Sequence, residues 1–118
     1  MALPPGGRNL SQILRAAGYT VEVTRAFAEA KVPLSRMDLA VLLSSNPPRP
    51  IEEICNACLA IRSEAPNLPV IVLGPNDIDA KVRLFKIGAD DYMVEPFDRM
   101  VFLARIDSLI RRQYAASP

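Results

Sequence analysis

An α/β fold with a parallel sheet covered by helices on both faces is predicted from three features of the sequence. Two short runs, 38–43 (DLAVLL) and 69–73 (PVIVL), are almost continuously apolar, as strands are when both of their faces are buried. Stretches with apolar residues at i, i+3, i+4 and i+7 lie before, between and after them, as amphipathic helices require. The two kinds of element alternate, and strands alternating with helices at this spacing call for right-handed crossovers and a parallel sheet. With 118 residues, 50% of them hydrophobic and 23% charged, the chain has the size of one domain. A chain of this length buries about two-thirds of its unfolded surface, so it needs neither a disulfide nor a structural metal.

The first helix places Leu10, Ile13, Leu14 and Ala17 on one side and stops at Gly18, a residue suited to a C-terminal cap. Residues 19–24 (YTVEVT) alternate, with Val21 and Val23 on one side, and predict a strand. A short helix over 25–31 ends before Pro33, and the apolar run 38–43 is the next strand. The turn-rich loop 44–50 (SSNPPRP) leads into a helix with Pro50 at its first position, where the missing N–H costs nothing. That helix carries the stripe Ile51, Ile54, Cys55, Cys58 and Leu59. After the strand 69–73, Asn76 is placed to cap a helix with Ile78, Val82, Phe85 and Ala89 on one side and Asp79 in its first turn. Residues 91–94 (DYMV) suffice for a short strand, and Phe102, Leu103, Ile106, Leu109 and Ile110 mark a last helix reaching Arg112. The order is α-β-α-β-α-β-α-β-α. One domain is expected over residues 1–112, with 113–118 read as a tail or the start of a linker.

Fourteen Lys and Arg against thirteen Asp and Glu give a net charge of +1, so the chain lacks the basic excess of a nucleic-acid-binding surface and no direct contact with nucleic acid is expected. With no His and only two Cys, a Cys/His zinc site is excluded. Cys55 and Cys58 have C-x-x-C spacing, but both fall on the apolar stripe of a helix and are expected as buried thiols, which suits a reducing cytoplasm. The start MALPPGG has neither the basic region nor the apolar core of a signal peptide, and no run approaches the roughly 18 apolar residues that cross a membrane. A soluble, cytoplasmic chain is expected. Gly6 and Gly7 lack the preceding strand and the Lys-Ser/Thr ending of a phosphate-cradling loop, and read as a flexible lead into the first helix.

Residues 69–97, PVIVLGPNDIDAKVRLFKIGADDYMVEPF, resemble the receiver domain of bacterial two-component response regulators. That family typically reads PVIVLTA, then a helix ending in an AGADDY-like turn, then Lys-Pro-Phe. Residues 16–24 (AAGYTVEVT) and 37–43 (MDLAVLL) add independent support, and the resemblance covers nearly the whole chain. It implies a flavodoxin-like (CheY-like) three-layer sandwich with sheet order 2-1-3-4-5. The last third is most similar to receivers of the winged-helix (OmpR-type) transcription factors.

In active receivers an Asp at the end of the third strand takes a phosphoryl group from a histidine kinase, beside Mg²⁺ held by acidic residues after the first strand. Matched onto this sequence, the phosphorylated Asp falls on Leu43, the hydroxyl residue on Gly74 and the Lys of the Lys-Pro pair on Glu95. A gap-free count back from Gly18 puts the acidic pair at Met1 and Ala2. A divalent cation needs several oxygen ligands and a phosphoryl group needs positive charge, and these residues supply neither. Neither a metal nor another cofactor is expected. Ser44 and Ser45 lie next to the lost Asp, but serine does not form the acyl phosphate that a histidine kinase exchanges with.

The family's first strand is central in its sheet and precedes the acidic pair, so here it is expected to be shortened or missing. The strand at Tyr19 then pairs directly with that at Leu39, accepts a stub from Ala2 and Leu3, or borrows a strand from another chain; otherwise the sequence begins after the strand. Pro96 matches the family's proline, which implies a cis Glu95–Pro96 bond. Tyr92 matches the aromatic that swings between rotamers in active receivers, and with Gly74 facing it a fixed rotamer is expected. The resemblance also implies a symmetric dimer face at Lys81, Arg83, Asp90, Asp91, Arg105, Arg111 and Arg112, with Asp91 meeting Arg105 of a second chain; as ordinary solvated charges the same residues contribute little.

These residues lead to a phosphorylation-independent pseudo-receiver that is not an enzyme. It is expected to act as a homodimer or by contact with an attached or separate signalling effector, and to regulate transcription if a DNA-binding domain is attached. Two readings stay open beside it: a receiver accepting phosphoryl on non-standard residues, and a small-molecule sensor in the vacated pocket around Leu43, Gly74 and Glu95.

Overall fold

The computed structural model describes residues 2–3, 7–24, 31–44 and 49–116. Its elements are β1 (Ala2–Leu3), α1 (Gly7–Ala16), a 3₁₀ turn (Leu34–Arg36), β2 (Ala40–Leu43), α2 (Ile51–Glu64), β3 (Val70–Gly74), α3 (Ile78–Ile87), β4 (Asp91–Val94), β5 (Phe97–Asp98) and α4 (Arg99–Ala116). The apolar runs become neighbours in a parallel sheet of order β2-β3-β4, with Ala40 opposite Val70 and Ile71 opposite Asp91.

Alternation along β3 divides the core into two layers. Val70 and Val72 face a cluster with Ile54, Cys55, Cys58 and Ile61 of α2 and Leu84 of α3. Ile71 and Leu73 face the opposite cluster, with Leu10 and Leu14 of α1, Met93 of β4, and Phe102, Ile106 and Leu109 of α4. The architecture is thus the expected flavodoxin-like (CheY-like) α/β sandwich. Asp98 starts α4 by accepting the N–H groups of Met100 and Val101 at 2.8 and 3.0 Å, as an N-terminal cap does. Gly18, with φ +99°, follows α1 where the left-handed turn favours glycine.

Several expectations are corrected. Residues 19–24 pair with no strand among the described residues; the Tyr19 N–H returns to the Leu14 carbonyl and Arg15 donates to the Val21 carbonyl. Tyr19 and Val21 border the core but Val23 is 62% exposed, so the alternation yields neither a continuous inward face nor a ladder. The Ala2–Leu3 stub does not fill the place beside β2, because it pairs antiparallel with Phe97–Asp98. The short helix expected over 25–31 lies largely outside the described residues, and Lys31 is in a bend. Asp77, not Asn76, caps α3, its carboxylate accepting the Ala80 N–H at 3.2 Å. Pro50 is the capping residue before α2, not its first residue. The helix side carrying Ile78, Val82 and Phe85 faces solvent, at 72, 45 and 48% exposure, while Ala80 and Leu84 turn to the core. Leu59 is exposed as well. Helix α4 runs past residue 112 into the stretch read as a tail, to Ala116.

Arg62, near the end of α2, ties that helix to the turn before β4. Its guanidinium donates to the carbonyls of Gly88, Pro66 and Leu68 at 2.7 to 2.9 Å and to the Asp90 carboxylate at 2.8 Å. Asp90 in turn accepts the Val70 N–H at 2.8 Å, at the start of the central strand. The planar fork serves four acceptors at once, a task an ammonium group cannot copy. Arg62→Ala is expected to lower stability by about 2 to 3 kcal/mol, through partly buried acceptors left without a donor, and Arg62→Lys is expected to recover less than half of that. Urea unfolding of the two variants checks it; an unchanged midpoint for Arg62→Lys would show that charge alone suffices.

Candidate functional site

Parallel register brings the three carboxyl termini of the sheet to one edge. Leu43 and Ser44 end β2, Gly74 ends β3, and Glu95 follows β4, with the Ser44 N–H donating to the Leu73 carbonyl at 3.1 Å and the Glu95 N–H to the Gly74 carbonyl at 2.8 Å. The fold therefore gathers Leu43, Gly74 and Glu95, the positions matched from the resemblance. Leu43 is half-buried and packs against the α1–α4 layer.

Gly74 is enclosed. A Cβ on it would lie 2.6 Å from both Ser44 Oγ and the Tyr92 hydroxyl oxygen, too close for any side chain. Tyr92 is 7% exposed and donates its hydroxyl to the Pro75 carbonyl at 2.7 Å, so the phenol fills the space over Gly74. Lys81 lies 5.9 Å from the Tyr92 ring centroid and donates to Asn76 Oδ1 at 3.4 Å. Burial, reinforced by the negative charges of Asp77 and Glu95, raises the Tyr92 pKa above the ordinary tyrosine value. Glu95–Pro96 is cis. The Ser44 hydroxyl makes one hydrogen bond among the described residues, a long one of 3.3 Å to the Leu73 carbonyl, and Ser45 lies outside those residues.

Mg²⁺, which the resemblance implies for active receivers, does not fit the residues gathered here. Leucine and glycine offer no side-chain oxygen, and Glu95 alone cannot supply the several oxygens a divalent cation requires. Among the described residues no cluster of three or more acidic, Cys or His side chains is placed to hold a metal ion. The cysteines are elsewhere, buried in the α2 layer, where desolvation raises the Cys58 thiol pKa and keeps it out of its reactive form.

The charged residues of the expected dimer face are less free than the sequence suggested. Arg105 reaches Asp91 within the same chain, at 3.1 Å, making internally the pair expected between two chains. Asp90 is held by Arg62. Arg83 pairs with Glu52 of α2 at 3.3 Å, and Arg111 pairs with Asp107 one helical turn earlier at 2.9 Å. Arg112 borders a shallow cleft with Asn67, Asp90 and Gln113. What sequence reasoning missed is the apolar content of this side: Ile78, Val82 and Phe85 lie at i, i+4 and i+7 on exposed α3, and Met100 and Val101 are exposed at the start of α4. The signal was present, because α3 has a second apolar set at Ala80, Leu84 and Ile87, and a helix apolar on two sides has one side to spare.

Two measurements follow. Gly74→Thr is expected to drive Tyr92 out of its pocket and lower stability by about 1 to 3 kcal/mol, seen as a loss of the Tyr92 near-ultraviolet dichroism and an earlier urea midpoint. Tyrosinate absorbance is expected to show Tyr92 ionising above about 10, the unfolded value. The unfolded chain then loses this proton first, so stability falls as pH rises above that value, and Tyr92→Phe removes that part of the slope.

No family model matches the chain. The response regulator MprA of Mycobacterium leprae is 36% identical over 107 residues, which cover 88% of this chain and 46% of that protein. The chain spans less than half the length of the curated relatives it matches. Among solved structures, a response regulator from Chloroflexus aurantiacus superposes with a TM-score of 0.75 at 26% identity, over 89% of this chain and 88% of that one. The NtrC4 receiver domain, solved as a beryllofluoride-activated dimer, gives a TM-score of 0.72 at 24% identity, over 90% of this chain and 88% of that one. With the parallel sheet and its carboxyl edge laid out as above, these relatives place the chain in the response-regulator receiver (CheY-like) family, with OmpR-type regulators among its relatives.

Proposed function

We propose that this receiver domain signals without accepting a phosphoryl group, through contact between two copies across α3, β4 and α4. The observation that carries the reading is the chemistry at the carboxyl edge. Leu43, Gly74 and Glu95 meet there, and Tyr92 occupies the space over Gly74. A phosphoryl group at this edge would find no acceptor carboxylate at Leu43, and Glu95, which stands where the family has its lysine, would repel it. The Tyr92 rotamer is held by its bond to Pro75 instead of by the occupancy of a phosphorylation site. The domain is therefore not catalytic and needs no cofactor.

For the contact, the exposed stripe Ile78, Val82 and Phe85 supplies apolar area, and Lys81, Asp91 and Arg105 supply charge around it. The NtrC4 receiver domain is itself a dimer in its activated form. In a polypeptide where an effector domain is attached, as in a transcriptional regulator, this contact would bring two effectors together in the cytoplasm, with no direct contact of this domain with nucleic acid.

The test combines chemistry and mass. Incubation with acetyl phosphate and Mg²⁺ is expected to leave the intact mass unchanged, and light scattering is expected to give the same dimer with or without beryllium fluoride. Val82→Asp is expected to give a folded monomer. An adduct of about 80 Da, the mass a phosphoryl group adds, or dimerisation only with beryllium fluoride, overturns phosphorylation independence. A wild-type monomer under both conditions overturns the dimer.

A further inference from the structure

Helix α3 (Ile78–Ile87) holds the sheet with Ala80 and Leu84 and turns the stripe Ile78, Val82 and Phe85 outward. Successive residues of an α-helix are rotated by about 100°, so the charges of α3 can be placed around that stripe. Asp79 and Lys86 fall together on one flank of it, about a quarter-turn away and separated along the helix by about 10 Å. Lys81 falls on the other flank, and Arg83 lies further round, towards α2.

The four charges differ in what they already touch. Arg83 pairs with Glu52 of α2 at 3.3 Å. Lys81 lies 5.9 Å from the Tyr92 ring centroid and donates to Asn76 Oδ1, which draws it back onto its own chain. Asp79 and Lys86 are exposed, and neither has an ion-pair partner among the described residues. The Asp91–Arg105 pair closes within the chain, so it is spent before a second copy arrives.

Opposite charges at the two ends of one flank are complementary to their own copy in one direction only. With two α3 helices parallel, Asp79 would meet Asp79 and Lys86 would meet Lys86. With the helices antiparallel about a two-fold axis beside Val82, the like flanks lie side by side and each Asp79 meets Lys86 of the other copy. Flanking charges of this kind set the direction and register of paired helices, while the apolar seam between them supplies the contact area.

We propose that α3 packs antiparallel against α3 of a second copy, with Val82 and Phe85 at the centre of the seam and two symmetric Asp79–Lys86 bridges along its flank. This rests on the two-copy contact proposed above and names the residues that fix its geometry. The bridges select a second copy, or a helix with the same order of charge, over a partner whose flank carries one sign throughout.

Charge exchange followed by sedimentation equilibrium tests it. Asp79→Lys and Lys86→Asp are each expected to weaken the dimer roughly tenfold, because both bridges become like-charge pairs. An equimolar mixture of the two variants is expected to dimerise as tightly as the wild type, which a misfolded chain would not do. The double variant Asp79→Lys/Lys86→Asp is expected to recover wild-type affinity, since antiparallel packing restores both bridges. Single reversals without effect, or a double variant that fails to recover, overturn the antiparallel seam. If Val82→Asp still gives a monomer in that case, the two-copy contact stands and its geometry alone is wrong. A wild-type chain that is monomeric overturns the contact and the seam together.

Discussion

A strand with no exposed side chain has to satisfy two layers at once, and the rest of this fold is arranged around that demand on β3. Val70, Ile71, Val72 and Leu73 are all fully buried. Because side chains alternate, Val70 and Val72 require α2 and α3 on one face, while Ile71 and Leu73 require α1 and α4 on the other. The backbone of β3 is equally committed, with parallel partners on both sides. The entry to the strand is fixed by the Asp90 carboxylate on the Val70 N–H, and its exit is Gly74, where the candidate site begins.

The exit has exchanged charge for packing. Tyr92 buried over a glycine is a steric arrangement: it holds because the phenol fits and its hydroxyl finds the Pro75 carbonyl. The electrostatic surroundings point the same way. Asp77 and Glu95 both disfavour ionisation of the phenol, so the negative charge near this edge is set against gaining more. A trigger built on adding a doubly charged group would work against these residues.

What the sequence made legible was what short-range pattern controls. The wholly apolar runs gave β2 and β3 within a residue or two, the stripe Ile54, Cys55 and Cys58 gave the buried side of α2, and residues 91–94 gave β4 as observed. Failures came where a partner distant in sequence decides. Residues 19–24 have the alternation of a strand but no ladder to join among the described residues. On α3 two apolar sets compete, and packing against the sheet, not periodicity, chose Ala80 and Leu84 over Val82 and Phe85. Asp90 read as a surface charge because nothing local announces Arg62, which lies 28 residues earlier. The positions Leu43, Gly74 and Glu95 were found through the resemblance, and the parallel register brought them together; the locking contact of Tyr92 needed coordinates.

The same distinction between charge and packing decides what could drive association on the α3 side. The ion pairs there are exposed: Arg105 and Asp91 are 45 and 22% accessible, and Arg83 and Glu52 are 48 and 68%. Each such pair contributes about 0 to 1 kcal/mol, and most of these charges already have partners within the chain, so exchanging them for intermolecular partners gains little. Fully covering a large apolar side chain contributes about 1.5 to 3 kcal/mol, and Ile78, Val82 and Phe85 have between 45 and 72% of their surface still to lose. In the proposed contact, apolar area would therefore provide the affinity, and the charges around it would fix the register. A receiver that associates through area already exposed needs no added charge to make its surface adhesive.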